Sequence, residues 1–253
     1  MTIGPARHVF LSPHHDDVCF SLGVTAGRIS GLLLNVFSLS AYIAVEPMPA
    51  LDEQPKVSRI RDDEDREFAE AGRLNRLNLG QLDCPLRGFE AFDTAELEAE
   101  VESFRPTVTE ALLANPHSPA DRPILFCPAG IGRHRDHLLL RDCVIADYGK
   151  LLERYRIVFY EDLHYASSAS VRESGLRDLR QATRELGYSV RYRFDIPTTK
   201  LDLIRLYASQ FYEPPTDLAR FTPADGSGEL HEAVWANAQI AELDLLGTPS
   251  VEP

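Results

Sequence analysis

The stretch HVFLSPHHDD, residues 8–17, decides how this chain reads. His8 to Ser12 is a short apolar run that stops at Pro13, the pattern of a buried parallel strand feeding a loop. That loop carries His14, His15, Asp16 and Asp17 in succession. Far along the chain the arrangement returns. Pro123 to Pro128 (PILFCP) is a second apolar run, and it leads through Ala129-Gly130-Ile131-Gly132-Arg133 into His134-Arg135-Asp136-His137.

Working outward, Gly23 to Leu34 has the pattern of a mixed apolar helix and Asn35 to Ile43 that of the next strand. Val57 to Leu77 is densely charged, with Ile60, Phe68, Ala71 and Leu74 on one side, as expected of an exposed amphipathic helix. Leu97 to Leu113 is a further helix, Asn115 to Pro123 a loop, His137 to Leu152 a helix and Ile157 to Tyr160 a strand. Strands alternating with helices predict an α/β, Rossmann-like fold: a mostly parallel sheet with helices on both faces. Such sheets bind ligands beyond the carboxyl ends of their strands, where both His/Asp clusters fall. Tyr212 to Gly228 is rich in Pro and Gly and reads as loop, and Gly247 to Pro253 reads as a frayed tail. No repeat or linker interrupts the chain, so residues 1–253 are taken as a single domain.

Composition narrows the function. Lys plus Arg number 26 against 39 Asp plus Glu, a net charge of −13. That balance disfavours nucleic acid and anionic membranes as partners. The most apolar stretch, Leu32 to Val45, is interrupted by Asn35, Ser38 and Ser40 and is too short to span a bilayer. Cys19, Cys84, Cys127 and Cys143 form no Cys-x-x-Cys pair, which points to buried reduced thiols. Met1 to Pro5 has no signal-peptide pattern. A cytoplasmic location is therefore expected.

An Asp-Asp pair after a strand ordinarily caps the next helix through its first amides. Here, however, four of the eight histidines fall in the two short clusters, each beside an Asp. Imidazole and carboxylate ligands suit a divalent metal such as zinc, and three protein ligands leave room for water. His14 and Asp17 can face one point from the first loop, and His137 can complete the set from the second. Asp16 is left to take a proton from the metal-bound water. Asp136 can orient His134 by a hydrogen bond to its ring. The helical HD-type phosphohydrolases also use His and Asp, but on helices, whereas these clusters follow strands. A nucleotide-binding Rossmann protein would need a Gly-x-Gly-x-x-Gly turn where His14 to Asp17 stand.

These residues resemble the PIG-L/LmbE-like family of zinc-dependent N-deacetylases. The family's His-Pro-Asp-Asp motif after the first strand appears as His14-His15-Asp16-Asp17, and its His-Pro-Asp-His motif as His134-Arg135-Asp136-His137. Weaker matches are Arg61 to Ala69, with an Arg-x-x-Glu helix; Tyr160 to Ala166 (YEDLHYA); Lys200 to Gln210, with a Lys…Ser-Gln helix; and Glu229 to Trp235. The resemblance implies His14, Asp17 and His137 as metal ligands and Asp16 as general base. It implies His134 as the group that stabilises the oxyanion or protonates the leaving amine, with Asp136 as its partner. Arg61, Tyr160, Glu161 and Tyr165 are the candidate substrate contacts. Departures from the pattern are His15 and Arg135 in place of prolines, Val18 in place of a frequent Glu, and Tyr207 in place of a common His.

The implied activity is hydrolysis of an N-acyl group, N-acetyl above all, from an amino sugar or glycosylated small molecule. Zinc is the expected cofactor, although two histidines and one carboxylate also suit ferrous iron. An amidase acting on a larger conjugate and a non-catalytic ligand-binding module are the alternatives. The expected partner is a small N-acylated molecule, and assembly into a homo-oligomer is compatible with the sequence.

Overall fold

The structure is a computed structural model that describes residues 8–44, 51–115, 122–237 and 248–251. Met1 to Pro5 and most of the Asn115–Pro123 loop lie outside the described residues. The elements run β1 (Val9–Ser12), α1 (Asp17–Ile29), β2 (Leu32–Asn35), α2 (Gln54–Gly72), β3 (Asn75–Asn78), α3 (Leu97–Ala114), β4 (Ile124–Pro128), α4 (Arg135–Ala146), α5 (Tyr148–Leu152), β5 (Arg156–Tyr160), α6 (Ala169–Ala182), β6 (Tyr188–Asp195), α7 (Lys200–Ile204), β7 (His231–Asn237) and β8 (Thr248–Val251). They build one eight-stranded sheet in the order β3-β2-β1-β4-β5-β7-β6-β8. The pairs from β3 through β5 are parallel, and β7, β6 and β8 add antiparallel neighbours. The expected α/β architecture with a mostly parallel sheet is what the chain adopts.

The strands that carry the two clusters are apolar because both sheet faces are covered. Every residue of β1 and of β4 is buried. Phe10 and Phe126 stack across the β1–β4 pair with ring centroids 4.6 Å apart. From β1 the chain crosses to β2 on one side, and β4 lies on the other. The loops after β1 and β4 therefore diverge over a crevice at the sheet edge, the place where open α/β sheets bind ligands.

Several boundaries depart from the sequence reading. The first helix starts at Asp17 rather than Gly23, so the HHDD cluster itself forms its entry. The second strand is Leu32–Asn35, ahead of the expected Asn35 to Ile43. The turn before it depends on Gly31, where an added Cβ would stand 2.5 Å from the His8 carbonyl oxygen. The long charged helix ends at Gly72, Arg73 takes a left-handed conformation, and Asn75–Asn78 pairs with β2 as a strand. Its sequence, NRLN, has no apolar run to announce it, because as the sheet edge it is buried on neither face. The stretch expected to fray supplies Thr248–Val251, which pairs with β6. Among the described residues, no helix is long and apolar enough to cross a membrane.

Candidate active site

The β1 and β4 loops bring their histidines together. The ring centroids of His14 and His134 are 5.0 Å apart, those of His134 and His137 5.1 Å, and those of His14 and His137 5.6 Å. One nitrogen from each of the three rings lies within 4.8 Å of the others, as a shared metal ion requires. Asp17 stands between the two ligand candidates, with one carboxylate oxygen 3.1 Å from His14 Nδ1 and the other 3.3 Å from His137 Nε2. The expected set of His14, Asp17 and His137 therefore converges, although these residues come from opposite ends of half the chain.

Charge explains why the cluster suits a cation. Burial works against a charged His14, yet hydrogen bonds to Asp136 and Asp17 push its pKa up to about 9. Burial opposes charge on His137 too, but Asp17 and then Asp162 drive it well above the usual imidazole range. Asp17 is held well below the carboxylate range, against burial, first by His137. Buried imidazoles that hold protons only because carboxylates surround them are a site with an excess of negative donors. A divalent ion replaces those protons as the neutralising charge, so the residues fit a metal.

His137 is fixed from behind. Its Nδ1 is 2.8 Å from Asp162 Oδ1, and the other Asp162 oxygen accepts the Ile131 backbone N–H at 2.8 Å. A carboxylate on the far nitrogen of a ligand histidine sets its tautomer and aim. Sequence reasoning quoted Asp162 but gave it no role. Its signal was its position just past the carboxyl end of β5.

Asp16 lines the same cavity without joining the cluster, and Arg61 Nη2 donates to its Oδ1 at 2.7 Å. Arg61 is buried and also donates to Ser40 Oγ at 2.9 Å. It borders the cavity, but two of its donors are committed to holding Asp16 and the Ser40 loop. His15 points elsewhere. It is buried near Asp62, and burial followed by the neighbouring Arg61 lowers it to about 3.

The expected contact between the Asp136 carboxylate and the His134 ring is not formed. His134 is the N-cap of α4, in an extended conformation, and its side chain folds back to accept the Asp136 backbone N–H at 3.3 Å. That geometry turns the Asp136 carboxylate the other way. It meets His14 Nε2 at 2.9 Å, Arg87 Nη2 at 2.6 Å and the Cys84 backbone N–H at 3.0 Å. Asp136 is therefore the partner of His14, not of His134. Because His134 Nδ1 accepts, its Nε2 carries the proton. Burial, followed by the positive charge of His14 and His137, lowers its pKa to about 3. His134 is thus a neutral N–H donor.

Two of the four expected substrate contacts are elsewhere. Tyr160 is fully buried and donates to the Leu11 carbonyl at 3.0 Å. Glu161 is buried among Arg172, Arg191 and Trp235. Neither side chain borders the cavity that holds the histidines. Tyr165 does line it, with its ring 5.8 Å from that of His137. Gly132 makes room for that ring, since a Cβ there would lie 2.3 Å from Tyr165.

The cavity holding His14, Asp16, Asp17, His134 and His137 measures about 730 Å³. Asp83, which the sequence did not single out, is buried in its wall, with one oxygen accepting the Leu86 N–H at 3.3 Å. A hollow of similar size near Thr198, Leu218 and Leu230 contains no histidine.

No family model matches the chain. It is 32% identical over 167 residues to the 2'-N-acetylparomamine deacetylase of Streptomyces fradiae, a match that spans 63% of this chain and 58% of that protein. The chain thus matches under two thirds of this curated relative's length. In three dimensions it is similar to a deacetylase of the A40926 pseudoaglycone, with a TM-score of 0.62 and 17% identity, covering 92% of this chain and 97% of that one. The zinc-inhibited form of a teicoplanin deacetylase gives a TM-score of 0.63 at 18% identity, covering 90% and 97%. At such identities the likeness is one of fold. The sequence relative is a deacetylase, and the fold shared with the two solved deacetylases is the one that carries the two His/Asp motifs at a strand end here.

Proposed function

We propose that this chain forms a single catalytic domain that hydrolyses an N-acetyl group from an amino sugar or glycosylated small molecule, with zinc as its metal. The observation that carries the reading is the convergence of His14, Asp17, His137 and His134 on one cavity, with Asp16 on its wall. His14, Asp17 and His137 hold the metal, and Asp162 and Asp136 aim the two imidazoles. When bound, the metal supplies Lewis acidity, lowering the pKa of water toward about 7 and polarising an amide carbonyl.

The chain's own groups do the rest. Asp16, held by Arg61, takes the proton of the attacking water. His134 presents its Nε2–H to the oxyanion that develops as the amide carbon becomes tetrahedral. Because His134 is neutral, its proton stays in place, and Asp16 returns the proton it has taken to the departing nitrogen. The C–N bond breaks, leaving the amine and acetic acid, whose proton then passes to the amine or to solvent. Arg61, Tyr165 and Asp83 line the space around the reacting group, where a sugar would offer hydroxyls. All four cysteines are buried and unpaired, which suits a reducing compartment.

The test is acetate release from N-acetylated amino sugars by the zinc-loaded protein, compared with the Asp16→Asn variant. The variant keeps its metal, measured by elemental analysis, and loses turnover by about a hundredfold or more, the contribution of a positioned general base. Undiminished acetate release by the variant rules out Asp16 as the base.

A further inference from the structure

Two guanidinium groups stand behind the histidine cluster, and neither has a place in the proposed mechanism. Arg135 follows His134 at the start of α4, where the resembled motif carries a proline. It is fully buried, which is rare for arginine unless it is paired. Its Nε donates to Glu100 Oε2 at 2.8 Å, and its Nη1 to the Asp93 and Ala95 carbonyls at 2.7 and 2.9 Å. Its guanidinium lies over the Phe89 ring, 3.7 Å from the centroid. Arg87, in the segment between β3 and α3, takes the other oxygen of Glu100, with Nε donating to Oε1 at 2.7 Å. Its Nη2 donates to Asp136 Oδ1 at 2.6 Å, and Asp136 Oδ2 meets His14 Nε2 at 2.9 Å. From Arg135 to His14 the groups alternate guanidinium, carboxylate, guanidinium, carboxylate, imidazole.

We infer that Arg87 is a positioning residue for the metal site, acting through Asp136 to fix the aim of His14. The inference rests on the reading of His14 as a metal ligand. Three observations lead to it. Asp136 is fully buried, so both of its oxygens need partners. One serves His14 and the Cys84 amide, and Arg87 occupies the other, which leaves the carboxylate a single orientation. Arg87 is itself fixed. Its planar fork spans Glu100 and Asp136, and Arg135 secures Glu100 from the far side. Phe37 lies under the Arg87 guanidinium, 4.6 Å from ring centroid to carbon, and the Phe37 ring is 6.1 Å from that of His14. Finally, an ion-pair network that served folding alone could end on any charge, whereas this one ends on one ring nitrogen of His14. Outer partners of a metal-bound histidine set its orientation and are worth about 10–100-fold in metal affinity.

The experiment measures metal binding, so that it does not depend on turnover. Zinc affinity is obtained by chelator competition for the parent, Arg87→Gln, Arg87→Lys and Arg105→Gln, each at a temperature where a circular dichroism melt shows it folded. Arg105 supplies the control, since it loses the same charge but pairs with Glu102 and Asp147 instead of Asp136. Arg87→Gln binds zinc about tenfold or more weakly than the parent. Arg87→Lys falls between the two, because an ammonium keeps the charge but not the planar fork. Arg105→Gln matches the parent. The cobalt-substituted proteins give a second readout. The visible absorption of Arg87→Gln differs from that of the parent because a ligand is turned, a change that lowered stability alone does not produce. Parent-like affinity and absorption in Arg87→Gln overturn the inference, as does an equal loss of affinity in Arg105→Gln. If Arg87→Gln does not fold, Arg87→Lys carries the same two outcomes. A parent protein that takes up no zinc refutes the metal reading and the inference with it. Acetate release by the parent tests the deacetylase reading separately: zinc binding that depends on Arg87, without release, refutes that reading and leaves the positioning role standing.

Discussion

Glu161 offers the sharpest test of the structure, because sequence and structure assign it opposite roles. The sequence offers it as a substrate contact. The structure buries it with Oε1 accepting from Arg172 Nη2 at 2.9 Å, Arg191 Nε at 2.8 Å and Trp235 Nε1 at 3.1 Å, and Oε2 accepting from Arg172 Nε at 2.6 Å. Burial opposes its charge, yet the two guanidiniums, Arg172 first, keep its pKa below the usual range. One carboxylate thus joins β5 to α6, β6 and β7.

Glu161→Gln keeps the side chain's shape, removes the charge and turns one accepting oxygen into an NH2 that faces a donor N–H. Removing one partner of a buried pair destabilises by about 3–5 kcal/mol. Arg191 retains Asp225 at 2.7 Å, which places the effect at the lower end, about 3 kcal/mol. For a chain of this size each kcal/mol moves the melting temperature by roughly 2–4 °C, so the variant melts roughly 6–12 °C lower. The assay is thermal unfolding followed by tryptophan fluorescence. Trp235 is the chain's one tryptophan, and its indole N–H is bonded to the substituted group, so it reports both unfolding and the local change. The KM for an N-acetylated sugar stays that of the parent at temperatures where both are folded. A melting point within about 2 °C of the parent together with a raised KM refutes the structural role and restores the substrate contact.

Two further outcomes follow from other buried carboxylates. Asp162→Asn lowers zinc affinity by about 10–100-fold in a chelator competition, because one amide cannot accept from both His137 and the Ile131 N–H; unchanged affinity removes Asp162 as the group that aims His137. Asp65 is pushed up to about 7 by burial, which outweighs the lowering by Arg76, Tyr207 and Asn35. In the unfolded chain it titrates near 3.8, so the native state alone keeps the proton between about pH 4 and 7, and stability falls as pH rises through that window. The full loss above about pH 7 is on the order of 4 kcal/mol. Asp65→Asn removes it, so in urea unfolding the variant gains on the parent between about pH 5 and pH 8; a difference independent of pH refutes the raised pKa.

The sequence made most of the candidate His/Asp cluster legible for a physical reason. Two apolar runs, at 8–12 and 123–128, had to be buried strands, and in a parallel sheet their carboxyl ends share one edge. Residues placed immediately after them, His14 to Asp17 and His134 to His137, could hardly avoid meeting. What the pattern could not give was sidedness. Tyr160 and Glu161 also end a strand, yet a side chain at a strand end faces the crevice or the opposite wall according to a register that only the assembled sheet fixes. The polar edge strand Asn75–Asn78 was silent because it packs too little to need an apolar run. Asp83 and Phe92 lie in the irregular segment between β3 and α3, where no period exists to be read.

The exchange of partners at Asp136 shows how local helix chemistry decides the arrangement of the candidate site. A histidine at the start of a helix has an orphan amide within reach, and a neutral imidazole nitrogen satisfies it. His134 does this with Nδ1, so its remaining N–H is directed by backbone geometry and needs no carboxylate behind it. A carboxylate there would raise its pKa and make it a stronger acid but a less constant donor. With Asp136 drawn instead toward His14, Arg87 and the Cys84 amide, negative charge gathers around His14, the proposed metal ligand, and not around His134, the proposed oxyanion donor. In the proposed mechanism the two loops thereby separate their tasks: carboxylates surround the histidines that would hold the cation, and a neutral imidazole is left as the donor to the oxyanion.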